Sequence, residues 1–77
     1  MYAVWLTSFP EGEKHTLERV VKKQRRSASQ KEVSAFLDGI SAGTPALVRS
    51  FVLDEFAENL VKEFAIHGAS AEVRDGQ

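Results

Sequence analysis

His15 and His67 are the side chains of this sequence best suited to acid–base or metal chemistry. Neither has a second His at ligand spacing, and the chain contains no Cys, so thiolate nucleophiles, disulfides and Cys-based zinc sites are excluded. His15 with Glu11 or Glu18 could act as a metal or acid–base pair, but one imidazole and one carboxylate at loose spacing fall short of a catalytic set. His67 precedes Gly68 and suits a helix C-terminus, where a cation or donor meets the last carbonyls. The serines have no neighbouring base and no Gly-x-Ser-x-Gly turn. Gly39 and Gly43 frame no phosphate loop, because no Lys-Ser or Lys-Thr follows them. Glu55, Glu58 and Glu63 are expected on a solvated helix face. The residue types therefore predict a non-enzymatic protein with no catalytic group, no cofactor and no metal.

The strongest polar feature is a run of cations. Lys14, Arg19, Lys22, Lys23, Arg25, Arg26 and Lys31 stand against a single acid, Glu18, in residues 14–31. That segment carries a charge of +6, while the rest of the chain, with three cations and ten acids, carries −7. A helix C-terminus accounts for two or three of the cations through its dipole, but not for seven. A basic pole on a nearly neutral domain attracts an acidic partner. The seven are the expected partner-binding residues, and an acidic protein surface is the expected partner. Nucleic acid is the second choice: phosphates need only such a cluster, but no aromatic residues are interleaved to stack on bases.

These side chains need elements to position them. Tyr2–Thr7 is β-branched and aromatic and predicts a strand with Tyr2, Val4 and Leu6 inward and Ala3 and Trp5 outward. Phe9–Gly12 predicts a turn. Leu17, Val20, Val21 and Gln24 fall on one face of a helix over Glu13–Arg26. Ser29 and Glu32 form a capping box for a second helix that buries Val33, Phe36, Leu37 and Ile40 and stops by Pro45. Ala46–Val52 predicts a strand with Ala46, Val48, Ser50 and Val52 on one side and Leu47, Arg49 and Phe51 on the other. Asp54 and Glu55 open a third helix with an apolar stripe of Phe56, Ala57, Leu60, Val61, Phe64 and Ala65. Gly68 is a left-handed C-cap, Ala69–Arg74 a last strand, and Asp75–Gln77 a tail.

The order β–α–α–β–α–β predicts an α+β two-layer sandwich: a three-stranded antiparallel sheet with three helices on one face. Its 77 residues form one domain. The other face would then present Trp5, Leu47 and Phe51 as an interface, for a second copy or for a partner. No apolar run approaches a membrane span and no signal peptide is visible, so a cytoplasmic protein is expected.

From Pro45-Ala46-Leu47-Val48 through Val52, Ala57, Leu60, Phe64, Gly68-Ala69 and Val73, the chain resembles the C-terminal domain of the bacterial ribosomal stalk protein. Tyr2–Leu6, Lys14–Lys22 and Lys31-Glu32-Val33 resemble that family's first strand and its first two helices. The resemblance implies the same β–α–α–β–α–β fold and a translation-associated role in protein interaction. In that family, helix one and the start of helix two recruit translational GTPases with cations beside exposed apolar side chains. Lys14, Arg19 and Lys22 match those cations, whereas His15 and Glu18 stand at positions apolar in the family. The same superfold includes the N-end-rule adaptor of the Clp protease, which implies a third reading as a protease adaptor. Its Asn-Asp-rich segment corresponds here to Thr7–Glu13, which has acids in a different arrangement.

Overall fold

The computed structural model describes residues 1–75. Strand β1 (Tyr2–Ser8) is the centre of an antiparallel sheet of order β2-β1-β3, flanked by β2 (Ala46–Phe51) and β3 (Ser70–Asp75). Between the strands lie helices α1 (Lys14–Gln24), α2 (Gln30–Ser41) and α3 (Asp54–Ile66), with a short 3-10 turn at Glu11–Glu13. The result is the α+β sandwich expected from the sequence. Val4 and Leu6 are fully buried on the inner sheet face, with Tyr2 packed beside them. They meet Leu17, Val20 and Val21 of α1, Val33, Leu37 and Ile40 of α2, and Ala57, Leu60 and Phe64 of α3. These are the apolar stripes read from the helical period. Among the described residues, no helix is long and apolar enough to cross a membrane.

Local signals explain where the elements stop. Ser29 Oγ accepts from the Glu32 backbone N–H (3.1 Å), and Glu32 Oε1 accepts from the Ser29 N–H (2.8 Å), which completes the capping box. Gly68 has φ +74°, with Gly68 N–H donating to Ala65 and Ala69 N–H to Phe64, so α3 ends in a left-handed cap. Asp75 closes β3, while Gly76 and Gln77 of the expected tail lie outside the described residues.

Several sequence expectations need correction. Helix α1 is shorter than Glu13–Arg26, and Val52 lies beyond the end of β2. Phe56 and Ala65, expected in the α3 stripe, are exposed. The largest change concerns Phe51. The pairing of β1 with β2 shifts between Val4 and Trp5: Val4 faces Arg49, but Trp5 faces Leu47. The extra residue at Val48–Arg49 is a β-bulge, and a bulge breaks the two-residue alternation. Leu47 therefore faces outward with Trp5, whereas Phe51 pairs with inward-facing Tyr2 and packs against the core. Phe51 does not belong to the open sheet face.

Candidate functional site

The basic segment folds as α1, the loop after it and the first residues of α2, and Arg25 brings one of its cations to the groove between those helices. The groove encloses about 270 Å³ and is lined by Val21, Ala28, Val33, Ala35 and Phe36, with Arg25 and Glu32 as its polar groups. Its apolar wall arises because α2 turns only part of its stripe fully inward. Val33 and Leu37 are buried, but Phe36 remains half-exposed. The Arg25 guanidinium lies 5.1 Å from the centre of the Phe36 ring, a cation–π arrangement at the groove mouth. An open basic depression of about 640 Å³, lined by Lys23, Gln24, Arg25, Arg26, Ser27 and Arg49, adjoins it.

The seven expected cations divide by their partners. Lys14 pairs with Asp38 of α2 at 2.7 Å. Lys22 donates to the carbonyls of Arg26 and Ala28, tying down the loop after α1. Lys23 lies 3.7 Å from Glu63 of α3. Arg25, besides stacking on Phe36, donates to the Leu47 carbonyl at 3.5 Å. Arg19, Arg26 and Lys31 are exposed, and among the described residues they make no side-chain hydrogen bond or ion pair. Four of the cations thus brace the fold, and three are free to meet a partner. One further cation has joined them. Arg49 donates to Gln24 Oε1 at 3.1 Å and lies 4.9 Å from the Phe51 ring, which fixes it beside the end of α1.

No family model matches this chain, and no curated protein matches it. Glu32 is the acid within the groove. Its carboxyl is held below the ordinary glutamate value of 4.5, first by the Ser29 backbone N–H and then by the Ser29 side chain. Desolvation opposes that shift, and Arg25 and Lys22 add a smaller pull in the same direction as Ser29. The capping box thus fixes the Glu32 carboxylate, in its charged form, at the edge of the groove.

The remaining candidates separate. His15 Nδ1 does lie 3.2 Å from Glu18 Oε1, but the His15 side chain is 99% exposed and the pair stands alone on α1. His67 turns its ring toward Glu13 (3.8 Å) rather than toward the last carbonyls of α3. Among the described residues, no three acids or histidines gather as metal ligands. On the open sheet face, Trp5 is half-buried beneath Arg74, whose guanidinium lies 4.4 Å from the ring centre, and Leu47 is 41% exposed beside it. Without Phe51 that face is a two-residue patch.

Sequence reasoning missed Phe36 and Ala28 as groove walls and Arg49 as part of the basic surface. Phe36 stood in a sound apolar stripe, and periodicity alone does not say which member of a stripe reaches the rim. Arg49 was hidden by the same bulge that turned Phe51 inward.

Proposed function

We propose that this protein is a cytoplasmic, non-enzymatic protein-interaction module that binds an acidic segment of a partner in the α1–α2 groove. The observation that carries the reading is the juxtaposition of an apolar wall (Val21, Ala28, Val33, Phe36) with a guanidinium stacked at its mouth and the basic depression holding Arg26 beside it. An apolar side chain of the partner would enter the groove, while flanking carboxylates meet Arg25 and Arg26, and the exposed Arg19 of α1 adds to the positive field. Cations at a rim act mainly on encounter rate and selectivity, and the apolar anchor supplies affinity. The resemblance to the ribosomal stalk C-terminal domain supports the same surface and suggests translation as the setting. No aromatic residue is interleaved with the cations of residues 14–31, which favours protein over nucleic acid.

The test is site-specific photo-crosslinking in living cells. A photoreactive residue at Ala35, exposed in the groove, should capture a protein through an acidic sequence. The same residue at Thr44 should not. Reversing Arg19 and Arg26 to Glu should abolish capture without lowering the melting temperature, because neither side chain braces the fold. Equal capture at Thr44, or loss of capture on nuclease treatment, would overturn the reading.

A further inference from the structure

We infer that a second copy of this chain pairs with the first through strand β3, antiparallel and centred on Val73, to make one continuous six-stranded sheet. The two sheet edges differ in a way that selects this one. The β2 edge is defended: Pro45 precedes it, the bulge at Val48–Arg49 disrupts its register, and the Arg25 guanidinium sits on the Leu47 carbonyl. The β3 edge has no preceding Pro and no guanidinium on its carbonyls, and its one register shift, between Leu6 and Ser8 of β1, lies at its start. From Ala71 to Asp75 its pairing with β1 runs without a register break, and no Pro, Gly or Lys interrupts it. An uninterrupted edge strand offers a row of unpaired backbone groups to another strand.

Symmetry then fixes the register. Two identical antiparallel edge strands are related by a two-fold axis perpendicular to the sheet, which keeps each residue on its own face. Opposed residues must share a face, so the axis passes through a residue, not between two. Glu72 and Arg74 point to the outer face, since they pair with Trp5 and Ala3, and Val73 points inward beside Val4. An axis at Glu72 would set Glu72 against Glu72, and an axis at Arg74 would set Arg74 against Arg74. Only the axis at Val73 sets each Glu72 against the other copy's Arg74, twice, with Val73 against Val73 on the inner side. Opposite charges directly across two strands stabilise the pairing and like charges oppose it. Arg74 is already fixed at that level by stacking on Trp5 and by donating to Glu72 of its own chain at 3.0 Å, so the cross-strand contacts would close a ring of two carboxylates and two guanidiniums.

The test is sedimentation of charge-reversal variants. The wild-type chain should dimerise, more weakly as salt is raised. Glu72→Arg and Arg74→Glu should each weaken the dimer roughly tenfold or more, since each replaces two attractive pairs by two repulsive ones. Both are exposed substitutions, and thermal melts check that the variants remain folded. Mixed together, the two single variants should form a heterodimer, because every opposed pair is again complementary. The chain carrying both substitutions should dimerise like the wild type. A wild-type chain that stays monomeric at its solubility limit would overturn the inference. So would single variants that dimerise undiminished, or a mixture that fails to associate.

Discussion

Replacing Phe51 by Ala tests the bulge directly, because the two possible facings of β2 predict opposite outcomes. With uninterrupted alternation, Phe51 would share the open face with Leu47 and Trp5, and its loss would cost the monomer little. With the bulge at Val48–Arg49, its ring lies on the core side, 6.5 Å from the centre of Phe56 and beneath the Arg49 guanidinium. Fully buried Phe→Ala changes cost about 3–5 kcal/mol. Phe51 is only partly buried, so the packing loss is smaller, and the aromatic pair adds back a fraction of that difference. The expected cost is about 2–3 kcal/mol, which for a domain of this size lowers the melting temperature by about 10–20 °C. Leu47→Ala removes a side chain that is 41% exposed on the open face and should cost about 1 kcal/mol or less. The assay is a thermal melt of both variants, with urea titrations to show that the denaturant slope is unchanged. A Phe51 variant that melts no lower than the Leu47 variant would refute the inverted facing.

Ser29→Ala removes the hydroxyl half of the capping box of α2, the acceptor of the Glu32 N–H, and should cost about 0.5–2 kcal/mol at neutral pH, read from urea unfolding. Because the Glu32 carboxyl is lowered in the folded state, its stabilising effect is complete above the ordinary value of 4.5 and is lost as pH falls through the lowered one. The gap between wild type and Glu32→Gln should therefore narrow on acidification below 4.5, and a gap that widens there would contradict the assignment. Gly68→Ala should cost about 1–2 kcal/mol, since φ +74° strains an L side chain and a Cβ there would lie 3.1 Å from Pro10 Cγ. Gly12→Ala, with open space around it, should stay within about 0.5 kcal/mol in the same melts.

The elements themselves were legible because each carries its own local signal. The Ser29–Glu32 box, the Gly68 cap and the stripe from Leu17 to Val21 are short-range features, and each appears where its chemistry predicts. The facing of β2 was not legible, because Leu47 to Phe51 alternates cleanly and nothing in those residues marks an extra position. The bulge exists only in relation to β1, where inward Tyr2 and outward Trp5 must both find like-facing partners. Phe56 fails for a related reason: it joins the α3 stripe by spacing, but it lies in the first turn, exposed, with its ring beside Phe51.

The basic segment shows how counting charges along a chain misjudges a binding surface. Seven cations in residues 14–31 suggest one electrostatic feature, yet folding gives them unlike tasks. Lys14 and Lys23 bridge α1 to its neighbours, and Lys22 binds the Arg26 and Ala28 carbonyls of the loop after α1. Arg25 protects the β2 edge while it stacks on Phe36. Reversal of Lys22 and Lys23 together would therefore disturb the loop and the α1–α3 contact as well as any partner, and a loss of binding would not identify the surface. Arg19 and Arg26 separate the two effects because they hold nothing in place within the described residues. The same reasoning separates the two interfaces proposed for the molecule. The groove lies between α1 and α2, and the β3 edge lies across the sheet from β2. Charge reversal at Glu72 or Arg74 should leave capture through Ala35 intact, whereas reversal at Arg19 and Arg26 should leave dimerisation intact.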